Sequence, residues 1–356
     1  MNNLSNAMPV RLDRPFHNTL GKELESLSDR DLNLLLSNET YRINVFESLL
    51  KLFLQEAKRN KRHILKAIKT DENNAKKLIK SKYRSQLDRL ELILYLSTEI
   101  SENVAEEQRF SSGSAQMTRG INYKYVTALQ LHGRGLLIAK EILALLNNGF
   151  PNGGLARWRS LYEIAVISSF LSSQDQSVSQ MYLDYAEVER YEEMKSFNVH
   201  AQSVYGSLFS EKELNSAQEL VKSLCEKYGE DFKRDLGWAR CLKGIRISKF
   251  SDIENLCPAL KLRPYYKWAN NGIHGGPKGV DSTLGNEAAG TILIGRSNSG
   301  FSNVLILTSW MIVSLTEFLG AYLISTDVAI KLAALSFYHE ELLDSVSSVL
   351  MSDENY

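Results

Sequence analysis

Proline is scarce, with six in 356 residues, so few positions force a helix to stop. Cysteine is scarcer still. Cys225, Cys241 and Cys257 are the only three. Their number is odd, no CxxC occurs, and no histidine lies near them at ligand spacing, so neither a disulfide framework nor a zinc site is supported. Free thiols in a reducing cytoplasm are the expectation, and with them a cytoplasmic location. Net charge is missing too. Lysine plus arginine equals aspartate plus glutamate at 42 each, which removes any global pull towards nucleic acid or anionic membrane. A polyanion site must then be a local patch. The start of the chain, MNNLSNAMPVRLDRPFHN, lacks the apolar core of a signal peptide. The SNA before Met8 resembles a cloning remnant, and the first seven residues carry no weight in reading the fold.

Long hydrophobic runs are also rare. One is Val304 to Ile324, VLILTSWMIVSLTEFLGAYLI, long enough to cross a bilayer. It carries Glu317 and several hydroxyls and no nearby flanking lysine or arginine. A charge near mid-span costs about 2.5 to 3.5 kcal/mol on insertion scales. The run therefore reads as the central buried helix of a bundle, with no membrane partner.

What is present is helical pattern at ordinary globular composition, 44% hydrophobic and 24% charged. The fold class is all-α, a multi-helix bundle. Residues 1–37 read as an N-terminal arm ending in a short helix, with Ser28 as N-cap. In 38–122, apolar positions from Ile43 to Ala57 and from Leu78 to Ile100 recur at steps of three and four. Two basic runs, EAKRNKRHILKAIK and AKKLIKSKYRSQLDR, meet near Thr70–Asp71. The pair reads as an antiparallel hairpin with a positive tip. That tip is either a solvated helical end or a phosphate-backbone patch built on Lys61, Arg62 and Lys77. Polar 106–120 reads as the linker, and 123–351 as the main bundle. Asn147 to Pro151 breaks one helix and starts the next. Ser210 with Glu213 forms a capping box. Residues 272–300 hold eight of the 21 glycines and read as a long loop, with a short strand near Thr291 to Ile294.

Stepping 100° per residue along the helix that contains Leu155 gathers Trp158, Tyr162, Ala165 and Val166 on one face. Arg159 and Glu163 fall on its margin one turn apart. Such a pair is costly beside a packed face unless it is bonded or used. It is either an ion pair that orients the helix or an anion-holding arginine steadied by its glutamate. Downstream, Lys267, Asn270 and His274 share one side of a helix, and glycines flank His274. His274 either caps the helix end or works as an acid–base group, a role to which histidine as a residue type is suited. His132, with Arg134 in LHGRG, either faces the same site or has a core or surface role. The motifs GxxxxGK[ST], GxGxxG, HExxH and GxSxG are all missing. YAEVERYEE lacks the ExxH pairing of a helical di-iron site. No metal site and no cofactor is expected.

The pairing of LARWRSLYEIAVISSFL with the later YYKWANNGIHGG resembles uncharacterised bacterial helical proteins of domain-of-unknown-function families. More distantly it is similar to the HEPN superfamily of helical bundles. The resemblance covers roughly 123–325. It implies a metal-independent ribonuclease of toxin or phage-defence biology, working as a homodimer on RNA. The superfamily motif is an arginine, four to six residues, then a histidine. Here Lys267 and His274 give K-x6-H, and Arg263 lies too far upstream. Either Lys267 or Arg159 takes the arginine's place, or catalysis is absent. By that resemblance His274 is the acid–base, Arg159 and Lys267 stabilise phosphate charge, and Asn270 positions it. Two other readings remain: a non-catalytic helical module for a protein or nucleic-acid partner, and a nucleotide or small-molecule sensor with the glycine-rich loop as lid.

Overall fold

A computed structural model describes residues 28–113, 121–200, 208–257, 260–283, 285–286, 292–293, 295–323 and 325–354. The expected arm before residue 28 and the end of the expected linker, residues 114–120, lie outside the described residues. The fold is all-α. A short helix α1 (Asp29–Ser37) opens at a Ser28 capping box and leads into α2 (Glu39–Gly113). Then come α3 (Tyr123–Asn147), α4 (Pro151–Ser173), α5 (Gln176–Asp184), α6 (Ala186–His200) and α7 (Glu211–Tyr228). A 3-10 turn, Glu230–Lys233, precedes the short helices α8 (Gly237–Arg240) and α9 (Phe250–Asn255). After these stand α10 (Arg263–Asn271) and α11 (Pro277–Thr283). Two-residue strands β1 (Gly285–Asn286) and β2 (Ile292–Leu293) pair antiparallel, with Gly285 opposite Leu293. Helices α12 (Phe301–Gly320) and α13 (Thr326–Glu354) close the chain.

The centre is α12. Its apolar residues Val304, Leu305, Leu307, Met311, Ile312 and Leu315 point in several directions and are all buried. Such a helix must be enclosed over most of its circumference, and only the stripe of Asn303, Trp310 and Glu317 is exposed. Helices α2, α3, α4 and α13 enclose it. It is long and apolar enough to cross a membrane, yet most of it is buried inside the body, as expected of a core helix. Two hydroxyls of α12 turn back onto its own backbone. Ser309 donates to the Ile306 carbonyl at 2.9 Å and Thr316 to the Ile312 carbonyl at 2.7 Å. Trp158 of α4 is fully buried and donates its indole N–H to the Leu307 carbonyl at 2.9 Å. At the α3–α4 break, Gly149 adopts φ +75°, a left-handed conformation that costs glycine little. Pro151 then sits in the first turn of α4, where its missing N–H costs nothing.

Several expectations are corrected. The basic hairpin does not exist: α2 is one helix of 75 residues. The physical reason is visible in the residues. Between Glu39 and Gly113 there is no proline and no glycine, and the polar stretch Thr70–Asn74 contains no residue that stops a helix outright. Lys61 and Lys77 are exposed on this rod, separated along its axis by about 24 Å at 1.5 Å per residue, and do not share a tip. The expected linker is helical as far as Gly113. The boundary placed at 123 does not interrupt the packing, because Ile79, Leu87, Leu90 and Ile93 of α2 join the same core as α3, α4 and α12. Within the glycine-rich stretch, Pro277–Thr283 is helical, while a strand does form at Ile292–Leu293. Helices α5 and α6 lie on either side of Tyr185, which ends the first of them.

Trp158→Ala should lower the unfolding free energy by about 3–5 kcal/mol, the range for deleting a buried tryptophan. Urea denaturation measures this, and a loss under about 1 kcal/mol would mean that α4 is not anchored on α12 through the indole.

Candidate functional site

Helix α10 lies against the outer margin of α4. Its sequence, RPYYKWANN, buries Tyr266 and Ala269 and leaves Asn270 half-buried beside them. On α4, Arg159 and Glu163 stand one turn apart with about 28% and 30% of each side chain exposed. These residues close into one network. Arg159 Nε donates to Asn270 Oδ1 at 2.6 Å, and Arg159 Nη2 donates to the Tyr266 hydroxyl at 2.7 Å. Arg159 Nη2 also lies 3.0 Å from Glu163 Oε1. The Tyr266 hydroxyl in turn donates to Glu163 Oε1 at 2.6 Å. The Arg159 guanidinium carbon is 4.8 Å from the centre of the Tyr266 ring, and that of Arg263 is 5.3 Å from it. Cations held over an aromatic face gain from its quadrupole. Burial, and then the hydrogen bond to Glu163, push the Tyr266 hydroxyl up to about 12. It therefore stays neutral and remains a donor at physiological pH.

A second layer lies beneath. Tyr162 is fully buried, donates to Glu254, and accepts the Leu262 N–H at 3.3 Å. Burial and the Glu254 carboxylate hold this phenol far above its ordinary range. Glu254 is buried and pairs with Arg263 at 2.8 Å. Trp158 stacks on Tyr162 at 5.3 Å, and Phe250 stacks on Tyr266 at 5.6 Å. Removing either partner of the Glu254–Arg263 pair strands the other charge, at a cost of several kcal/mol when it is buried.

Among the expected site residues, the structure brings together Arg159, Glu163 and Asn270. His274 lies just past the end of α10, where its backbone N–H donates to the Asn270 carbonyl at 3.1 Å. Its imidazole is exposed and forms no hydrogen bond or ion pair with the described residues. The loop that carries it is pinned by Gly279: a Cβ there would stand 2.1 Å from the Asn271 carbonyl oxygen and 2.9 Å from that of His274. Lys267, expected to line the site with Asn270, is exposed and makes no described polar contact. The inward edge of α10 is instead Arg263, Tyr266 and Asn270, spaced three and four apart. Tyr266, Arg263, Glu254 and Tyr162 were missed by the sequence reading. The spacing of the first two with Asn270 was the available signal. Glu254 carried none, since nothing in its neighbourhood marks a buried carboxylate.

His132 and Arg134 do not join this network. Arg134 is exposed on α3. His132 is buried against α12 with Nε2 3.0 Å from Thr316 Oγ1. Thr316 donates its own proton to Ile312, so the imidazole is the donor and carries its proton on Nε2. Burial pulls its pKa down to about 4. A small crevice lined by Thr127, Ser168, Ser179 and Tyr322 opens between α3, α4, α5 and α12 and contains none of the expected site residues. No group of three or more metal-ligating side chains occurs among the described residues.

The unfolded chain, with an ordinary imidazole near 6.5, binds a proton that the folded chain refuses until about pH 4. Stability from this group is thus present above pH 6.5 and is lost as pH falls through that window. The loss is on the order of 3 kcal/mol by linkage. It should appear as the difference in acid sensitivity between the unaltered chain and His132→Gln in urea titrations. Parallel curves for the two chains would rule out a buried neutral imidazole.

No curated protein and no solved structure matches the chain. Residues 125–291, the stretch that carries α4, α10 and the Arg159 to His274 cluster, match the model of a family of unknown function, DUF5677.

Proposed function

We propose that the α4–α10 face holds a phosphodiester of RNA and that His274 acts on it as acid–base. One observation carries this reading: Arg159 and Asn270, 111 positions apart in sequence, meet at 2.6 Å, and the exposed His274 follows one turn beyond Asn270. The arginine side chain is about 28% exposed, and a planar fork of donors matches phosphate oxygens. Glu163 and Tyr266 hold that fork in place. In the reaction, a base removes the ribose 2′-hydroxyl proton and the 2′-oxygen attacks phosphorus. The bond to the 5′-oxygen breaks and that oxygen takes up a proton, leaving a 2′,3′-cyclic phosphate and a 5′-hydroxyl. His274 serves one of the two proton transfers, and Arg159 offsets charge building on the phosphate. Lys61, Arg62 and Lys77 on α2 supply a sequence-independent hold on the RNA backbone. On this reading the protein works in toxin or phage-defence biology, inside the cytoplasm, as a homodimer, as a HEPN-like resemblance implies.

A second reading is favoured by a different feature of the same network. Glu163 already neutralises Arg159, and Asn270 and Tyr266 already take its Nε–H and Nη2–H. These contacts are what a strut between α4 and α10 requires, in a helical module that binds RNA or protein without cutting it.

One experiment separates the two. Purified protein is incubated with end-labelled single-stranded RNA, beside the His274→Ala and Arg159→Ala chains, with thermal unfolding of each. The nuclease reading expects cleavage that His274→Ala lowers by about 10²- to 10⁴-fold at unchanged melting temperature. The same substitution should relieve any growth arrest on induced expression. Binding without cleavage, with Arg159→Ala melting well below the unaltered chain, establishes the strut and ends the nuclease reading.

A further inference from the structure

The crevice between α3, α4, α5 and the end of α12 lies away from the α4–α10 network. Ser168, which lines it, stands nine residues beyond Arg159 on α4, about 13 Å along the helix axis. Leu131, Leu171 and Phe318 give the crevice apolar walls. Ser168 and Ser179 are on its buried side, 5% and 1% exposed. A hydroxyl on a helix commonly bonds back to a carbonyl of its own helix. Thr127 and Ser172 line the crevice and do so, donating to the Tyr123 and Ser169 carbonyls at 2.7 Å each. The Ser179 hydroxyl does not, and it has no hydrogen-bond partner. Leaving a buried hydroxyl unbonded is costly, so one in the wall of a crevice points to a ligand. The space is small, about 240 Å³ with its open side included. Pockets for drug-sized ligands begin at roughly 300 Å³.

The chemistry of the lining selects the sign of that ligand. Lys124 spends one ammonium N–H on the Ser172 carbonyl at 2.8 Å and has two more to give. Burial raises the Tyr322 phenol above its ordinary range, so it keeps its proton and donates. No aspartate or glutamate is among the described residues that line the crevice. A cation beside hydroxyl donors, with no carboxylate to neutralise it, favours an anion rich in acceptors. The size excludes a nucleotide, and the apolar walls favour a short alkyl group over a second charge. We propose that this crevice binds a small carboxylate ion, the size of acetate. Its oxygens take the remaining Lys124 N–H groups and the hydroxyl donors, Ser179 among them. Its alkyl part lies against the leucine and phenylalanine walls. The site does not depend on any activity at the α4–α10 face.

Isothermal titration of the purified full chain with sodium acetate, at an ionic strength held constant with sodium chloride, tests this. So few heavy atoms limit the affinity, and a saturable isotherm with a Kd between about 0.05 and 10 mM is expected. Acetamide, which keeps the shape without the charge, should bind at least about tenfold more weakly. Lys124→Met and Ser179→Ala should each weaken acetate by at least about tenfold. Both chains should keep the far-UV helical signal, because Lys124 is partly exposed and the Ser179 oxygen is unbonded. Acetate that does not saturate by about 10 mM, or acetamide binding as well as acetate, would overturn the carboxylate site. An acetate affinity that neither substitution changes would place the ion elsewhere on the protein and overturn it too.

Discussion

An uninterrupted apolar helix cannot rest against one neighbour, and that constraint shapes this molecule. Because α12 presents leucine, isoleucine, valine and methionine around most of its circumference, all but the exposed stripe of Asn303, Trp310 and Glu317, it has to be surrounded on most sides. The inner half of α2, together with α3, α4 and α13, does the surrounding. Burial of that much apolar surface is the main favourable term of the fold. It also fixes α4 in rotation, because the Trp158 indole reaches the Leu307 carbonyl only if the tryptophan face of α4 points inward. Once that face is fixed, Arg159 and Glu163 must emerge along the margin. The candidate site is thus a geometric outcome of enclosing α12.

At that margin the energetics change character. Arg159, Glu163, Tyr266 and Asn270 form a partly exposed network in which each side chain has a partner, with Tyr162, Glu254 and Arg263 beneath. Networks of this kind hold geometry more firmly than their pairwise strengths suggest, because removing one member leaves others unpaired. The same rigidity serves either a preorganised phosphate site or a strut between helices. His274 differs from both layers in being exposed and without a described side-chain partner, held only through its backbone and by the close approach of Gly279.

Much of this was legible beforehand, for reasons that can be named. The Ser28 and Ser210 caps follow from local hydrogen bonding, which sequence states directly. The core role of α12 follows from composition. The meeting of α4 with α10 was anticipated because a charged pair on the edge of an apolar face needs partners. The unbroken α2 was not anticipated, since a polar stretch between two basic runs was taken for a turn although no residue in it breaks a helix. Lys267 was placed inward because it shares a helical side with His274, but α10 is rotated by the burial of Tyr266 and Ala269, which turns the lysine outward. Glu254 could not be foreseen, because its burial depends on Arg263 and Tyr162 arriving from other segments.

The length of α2 has a mechanical consequence. At 1.5 Å per residue its 75 residues extend about 110 Å, and its inner half is embedded in the core with no hinge between the two halves. A helix without a proline or glycine joint bends only gently. Torque applied to the outer end therefore passes undiminished to the helices around α12, so the rod and the enclosed core must tumble in solution as one elongated body.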